Sequence, residues 1–292
     1  MDVQGNRLVL GDVTVERIVE MEAAFMPARQ FFPGLSEEVL AENRGWLRPA
    51  ALDERDGIVL CFQSYVVRTP HHVVLVDSCI GNDKDRPGRA IWHQKRDRAW
   101  MDGLAALGLT VDDIDVVMCT HLHADHVGWN TRLEGGRFVP TFPRARYLFS
   151  AKELAYWEGR HAEAPIAAFG DSVLPIVAAG RSELVASDFA LDDHLRLVPT
   201  PGHTPDHFAV DLGRGRRAGV ITGDLIHSPL QARYPELAMM SDVDPALGCR
   251  TRRAFLEGVC DSDTVCCFAH FPSPSRGVVR RWGEGFRCEA VG

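Results

Sequence analysis

The sequence predicts an α/β protein in which sheet packs on sheet with helices outside. Two observations carry that expectation: groups of short apolar strands alternate with helical stretches through both halves of the chain, and several of those strands end in a histidine or an aspartate. No repeat, low-complexity tract or Gly/Ser linker divides the 292 residues, and a hydrophobic content of 46% suffices for a sizeable core. One domain spanning 1–292 is therefore the simplest organisation.

The chain opens on a hairpin, Leu8-Val9-Leu10 and Val13-Thr14-Val15 around Gly11-Asp12. An irregular stretch over 23–34, rich in Phe and Pro, follows, and a helix opens near Ser36 with Glu37 and Glu38 in its first turn. Strands at 59–67 and 72–76 precede a loop carrying Gly81-Asn82-Asp83-Lys84. Helical periodicity returns over 95–107, and Ile114-Asp115-Val116-Val117-Met118-Cys119 reads as a short buried strand. Helices over 151–157 and 172–179 lead into a strand-rich second half, with runs at 195–198, 210–212, 218–222 and 264–269. A last helix over Pro245–Val259 and a terminal strand over 278–282 complete the pattern.

Directly after the run at 114–119 stands Thr120-His121-Leu122-His123-Ala124-Asp125-His126-Val127-Gly128, four metal-ligand side chains within six residues. His121 and His123 are two apart, which in an extended segment points both imidazoles to one side, while Asp125 and His126 lie on the next bend. That spacing suits two neighbouring metals better than one. Three further candidates each follow an apolar run: His203 in the loop Thr200-Pro201-Gly202-His203-Thr204-Pro205, Asp224 after Gly223, and His270 ahead of Phe271-Pro272.

Taken together, these residues resemble the signature of the metallo-β-lactamase-fold hydrolase superfamily, a His-x-His-x-Asp-His turn followed by an isolated His, an Asp and a final His. The resemblance spans nearly the whole chain and implies an αββα sandwich of two mixed sheets flanked by helices. It further implies that His121, His123 and His203 hold one divalent metal ion, that Asp125, His126 and His270 hold a second, and that Asp224 bridges them. Nitrogen and carboxylate ligands without thiolate suit Zn²⁺, although Mn²⁺, Fe²⁺ and Co²⁺ accept the same set.

Two cations held close together withdraw electron density from a water between them, so a bridging hydroxide is expected as the nucleophile near neutral pH. Asp125 or Asp224 would take its proton. His227, three residues after Asp224, is a candidate donor to substrate, and Asp77, at the end of the 72–76 strand, resembles an acidic position that orients a ligating imidazole. His207 reads as structural, and His71, His72, His93, His161 and His194 as surface or loop residues. Phe25, Met26, Phe31, Phe32, Trp92, Tyr234, Met239 and Met240 lie on segments expected around the metal edge and suggest a greasy rim for a hydrophobic or amphiphilic small molecule.

Within the superfamily the ligand set is most similar to the branch of N-acyl homoserine lactonases and methyl parathion hydrolase. A lactone or other carboxylic ester is accordingly the leading substrate class, with phosphotriester, thioester and β-lactam hydrolysis as alternatives and Tyr234 as a candidate beside the oxyanion. A non-enzymatic metal-binding regulator is the reading of a different kind, and the intact ligand set counts against it. The net charge of -8 argues against a nucleic-acid substrate. Arg214, Arg216 and Arg217 read as a solvated hairpin tip. The start Met1-Asp2-Val3-Gln4-Gly5-Asn6 lacks the basic and apolar regions of an export signal and no window reaches membrane-span length, so a cytoplasmic protein is expected. Cys61, Cys119, Cys266 and Cys267, in apolar runs, fit reduced buried thiols there, and Cys79 also reads as structural. Homo-oligomer formation is left open by the sequence.

Overall fold

The computed structural model describes residues 2–4 and 6–291. The chain groups into two compact units, one formed by Arg7–Met21 and Phe62–Ala186 and the other by Met1–Asn6, Glu22–Cys61 and Ser187–Gly292. Its strands are β1 (Asp2–Gln4), β2 (Arg7–Leu10), β3 (Val13–Pro27), β4 (Gly57–Arg68), β5 (Val73–Val76), β6 (Val116–Met118), β7 (Thr131–Glu134), β8 (Arg137–Pro140), β9 (Arg146–Ser150), β10 (Ser182–Val185), β11 (Leu195–Pro199), β12 (Phe208–Leu212), β13 (Gly219–Ile221), β14 (Val265–Cys267), β15 (Arg276–Trp282) and β16 (Gly285–Ala290). Eight strands form a sheet ordered β1-β2-β3-β4-β5-β6-β9-β10, six form a second ordered β11-β12-β13-β14-β15-β16, and β7 and β8 pair separately.

Both sheets are mixed. Strands β5, β6, β9 and β10 are parallel, while β2 and β3, and β4 and β5, pair antiparallel. A parallel pair needs a crossover, and helices supply it: Ala99–Ala106 between β5 and β6, and Ala151–Glu163, Ala167–Ser172 and Leu174–Ala178 between β9 and β10. In β6 every residue is buried, which is why it reads as an unbroken apolar run. The core of this unit gathers Trp100, Leu104, Val117, Trp129, Phe142, Tyr147 and Phe169 around the parallel strands.

In the second sheet β13 and β14 are parallel, joined through the helix Pro245–Val259, and the other neighbours are antiparallel. Because β11 and β13 both oppose β12, strands β11, β13 and β14 point the same way. Their C-terminal ends therefore share one edge, and each is followed within four residues by a candidate ligand. The Pro245–Val259 helix starts where its sequence demands: Asp244 accepts the Leu247 N–H at 2.9 Å and Pro245 fills the first turn.

Several expectations are corrected. The segment 23–34 is not irregular throughout, since β3 continues to Pro27 and a short helix covers Ala28–Phe31. The 151–157 helix extends to Glu163, and 172–179 is divided between two helices meeting near Val173. The hairpin of β7 and β8 and strands β9 and β10 go beyond the expected elements, while β15 and β16 fall within the strand-like end expected over 276–291. His194 is a buried residue, only 4% exposed, rather than a surface one.

Lys84, expected simply on a loop, is buried completely. Its ammonium donates to Thr131 Oγ1 at 2.6 Å, lies 4.0 Å over the Phe138 ring and stands 3.9 Å from Asp171. Burial pushes its pKa down to about 7 despite the pull of Asp171, against an ordinary 10.5. Between those two values the unfolded chain carries a proton that the folded chain lacks, so this group's contribution rises with pH through that window and is lowest below it. The unfolding free energy of the wild type minus that of Lys84→Met should therefore climb by about 1.4 kcal/mol per pH unit across the window. Urea melts of both proteins at several pH values check it; a flat difference would refute the neutral buried amine.

Candidate metal centre

In the first unit, the turn after β6 is held by the turn after β5. Asp77 follows β5 directly and sits at φ 58°, a left-handed conformation uncommon for a side-chain-bearing residue, retained here by its contacts. Its Oδ1 accepts the Thr120 N–H at 2.8 Å, the Thr120 hydroxyl hydrogen-bonds to the same carboxylate, and Oδ2 accepts from His126 Nδ1 at 2.8 Å. With Nδ1 so occupied, Nε2 is the nitrogen that His126 turns the other way. His121 behaves alike: Thr120 Oγ1 stands 3.2 Å from its Nδ1, leaving Nε2, which faces His123 Nδ1 at 2.9 Å. Asp125, with 15% of its side chain exposed, places Oδ2 3.9 Å from His126 Nε2. Asp77 thus makes the contact to an imidazole Nδ1 that was expected of it.

In the second unit, four histidines surround or support Asp224. His203 Nδ1 donates to Asp242 Oδ1 at 2.8 Å, and His270 Nδ1 donates to the Cys61 carbonyl at 2.9 Å. His227 Nδ1 meets Gln231 Oε1 at 3.2 Å, an oxygen also held by the His227 backbone N–H, while Gln231 Nε2 donates to the Leu237 carbonyl and fixes the amide's direction. Each of these three imidazoles has therefore spent Nδ1 on an acceptor. All three turn Nε2 toward one carboxylate, at 3.3 Å for His203, 3.1 Å for His227 and 3.0 Å for His270. Nitrogen lone pairs converging on a carboxylate repel unless a proton or a cation lies between them.

The electrostatics of two of these imidazoles differ. Burial pulls the His203 pKa down, but the hydrogen bonds to Asp224 and then Asp242 outweigh it and raise the pKa to about 9. For His227 burial prevails and the pKa falls. Divalent cations beside the carboxylate would satisfy Nε2 of His203 and of His270, and the donor set, nitrogen and oxygen without sulfur, fits such ions. Carboxylate and carbonyl acceptors behind the imidazoles are what ligating histidines require to fix their tautomer.

His207 is structural, as expected: its Nε2 accepts the Asp224 N–H at 2.9 Å and its Nδ1 meets Thr200 Oγ1 at 2.7 Å. Asp242 was missed. The run Ser241-Asp242-Val243-Asp244 before Pro245 reads as a helix start, and Asp244 alone serves as the cap, so the second carboxylate was a signal without an assigned task. The Tyr234 hydroxyl accepts from Asn43 Nδ2 at 3.0 Å, on the helix Glu37–Leu47. Of the expected greasy rim, Met26, Phe31, Phe32 and Trp92 are buried, and Met240 is exposed. Cys79 is buried with Sγ 3.2 Å from Ser64 Oγ, in keeping with a structural thiol. The arginine-rich turn between β12 and β13 pairs locally, Arg214 with Asp193 and Arg217 with Asp211.

No helix among the described residues is long and apolar enough to cross a membrane. Comparison with curated proteins finds no match. Among solved structures, the hydrolase AbOPH in the β-lactamase superfamily is similar at 21% identity with a TM-score of 0.81, covering 100% of this chain and 99% of its own. AidC, a dizinc quorum-quenching lactonase in complex with the product N-hexanoyl-L-homoserine, aligns at 18% identity and a TM-score of 0.77, over 98% of this chain and 97% of its own. A probable metal-dependent hydrolase from Staphylococcus aureus gives 17% identity and 0.73, covering 98% and 100%. These likenesses establish the αββα fold along the chain. The family model of the metallo-β-lactamase superfamily matches residues 63–264, which include most of the histidines and carboxylates described above. With two mixed sheets, flanking helices and imidazoles oriented for divalent metal, the chain belongs to the metallo-β-lactamase superfamily and is a metal-dependent hydrolase.

Proposed function

We propose that the chain acts as one domain over 1–292, a dinuclear hydrolase of small hydrophobic or amphiphilic esters with a lactone as the preferred substrate. His121, His123 and His203 would hold one ion, Asp125, His126 and His270 the other, and Asp224 would bridge them. Zn²⁺ suits this set. The observation that carries the reading is the convergence of three imidazole Nε2 atoms, each with Nδ1 already committed, on the single carboxylate of Asp224.

When bound, the two ions supply an activated water and a Lewis acid for the substrate's carbonyl oxygen. Asp125 is the carboxylate with some access to solvent, at 15% against 4% for Asp224. Its Oδ2 is therefore the better carrier of a proton taken from the attacking water and returned to the leaving oxygen. His227, held by Gln231, presents Nε2 as a partner for the substrate or for Asp224. Met240 and Val243 are 45% and 42% exposed on either side of Asp242, and they give apolar surface next to the His203 loop for an acyl chain. The similarity to a quorum-quenching lactonase along nearly the full chain favours lactones over the phosphotriester, thioester and β-lactam alternatives.

The test is metal content together with turnover of acyl lactones, linear esters, thioesters, phosphotriesters and β-lactams before and after chelation. The expected result is two equivalents of metal and the highest kcat/KM on a lactone, lost on chelation and restored by Zn²⁺. Metal-bound protein without turnover of any of these would overturn the hydrolytic assignment. His227→Ala should lower kcat by about 10²–10³-fold with metal content unchanged, the size expected for one positioned hydrogen-bond donor. Loss of metal in that variant would instead make His227 a ligand.

A further inference from the structure

Helix Pro245–Val259 faces the loops of His203 and Asp224 through residues one turn apart. The Asp244 N–H donates to the Gly202 carbonyl at 2.9 Å, and a β-carbon on Gly202 would fall 2.2 Å from the Gly248 nitrogen. Thr251 Oγ1 donates to the Pro201 carbonyl at 2.9 Å. Positions 244, 248, 251 and 252 follow the helical repeat and lie on one face. At the end of that row stands Arg252, only 1% exposed.

The contacts of Arg252 are specific. Its Nε donates to the carbonyl of Leu225, the residue after Asp224, at 2.8 Å. Its Nη1 donates to the carbonyls of Pro235 and Leu237 at 2.8 and 3.0 Å, and its Nη2 stands 3.7 Å from Asp242 Oδ2. Asp242 in turn accepts from His203 Nδ1 through Oδ1 and from the Met239 N–H through Oδ2. One guanidinium therefore touches the segment that bears Asp224 and the carboxylate that aims His203. A buried guanidinium is costly to desolvate, and simple filling of the space would be done more cheaply by an apolar side chain.

We propose that Arg252 and Asp242 form a positioning pair that fixes the direction of His203 Nε2 and the attitude of the Asp224 turn, so that divalent-metal affinity depends on two residues that need not touch the ion. This rests on the reading of His203 and Asp224 as ligands. Asp242 must accept twice, from His203 Nδ1 and from the Met239 N–H. An asparagine in its place presents an NH₂ to one of those donors, and if the imidazole turns over its proton to Nε2 the nitrogen meant for the ion is lost.

The experiment compares wild type, Asp242→Asn, Asp242→Glu, Arg252→Gln and, as a control on the exposed side of the helix, Arg253→Gln. Zn²⁺ affinity is measured against a chromophoric chelator, and the visible spectrum of the Co²⁺-loaded protein reports the ligand geometry. The expected result is a loss in affinity of about 10–100-fold for Asp242→Asn and Arg252→Gln, with altered Co²⁺ bands, partial rescue by Asp242→Glu and no change for Arg253→Gln. Asp242→Asn changes almost no volume, so it carries the test if Arg252→Gln fails to fold. Wild-type affinity and spectrum in Asp242→Asn would overturn the pair while leaving the metal site standing. A wild type that binds no Zn²⁺ would overturn the ligand assignment, and the pair with it.

Discussion

Asp224→Ala should abolish tight metal binding and hydrolysis together, with a fall in kcat/KM on the order of 10³-fold or more, beyond the 10–100-fold typical of an orienting residue. The reason lies in the charge balance around that side chain. Its two oxygens face Nε2 of His203 and of His270, and without the carboxylate those imidazoles would gather cations with little anionic compensation. The backbone of the turn should survive the change. The Asp224 N–H is held by His207 Nε2 and the Leu225 carbonyl by Arg252 Nε, neither of which involves the aspartate side chain. A folded, metal-poor, inactive protein is thus the expected product, checked by elemental analysis, circular dichroism and turnover of the preferred ester. Retention of both metal and activity would refute the bridging role.

How much of this arrangement was legible in the sequence depended on whether its determinants were local. The Thr120–Gly128 turn stood out because ligand side chains were crowded after an apolar strand, and β6 and its turn lie where that pattern put them. The capped helices at Ser36 and Asp244 were equally local, since an N-cap acts within three residues. Strands β7 and β8 carried a readable sign, Gly135-Gly136 with φ of 58° and 78° in a two-residue turn, but their charged flanks hid the pairing. The continuation of β3 to Pro27 could not be read from its alanines and phenylalanine, because sheet neighbours outweigh so weak a local preference. Asp242 and Tyr234 show the same limit at the site. One acquires its task from His203, 39 positions away, and the other is held by Asn43, 191 positions away.

The second large effect concerns Gly128, where replacement by alanine should cost about 3 kcal/mol or more of stability and weaken binding at Asp125 and His126. Its φ of -59° and ψ of -51° suit any residue, so backbone freedom is not the reason for glycine here. The reason is proximity. A β-carbon would fall 1.9 Å from the Ile80 carbonyl oxygen and 2.6 Å from that of Cys79, both of them backbone atoms that no rotamer change can remove. The same two segments are tied by the Gly128 N–H to Cys79, the Ser78 N–H to the His126 carbonyl and the Trp129 N–H to Ser78. Behind them Glu20 accepts from the Ile80 N–H, the Lys95 ammonium and the Trp129 indole, so the loops have little room to part. Gly159, exposed within the helix Ala151–Glu163 with nothing in the way of a β-carbon, supplies the contrast: Gly159→Ala should stabilise by about 0.5–1 kcal/mol. Urea denaturation and metal content of both variants test the pair. Equal stabilities would mean that the close passage of 78–81 against 126–129 places no demand on the residue at 128.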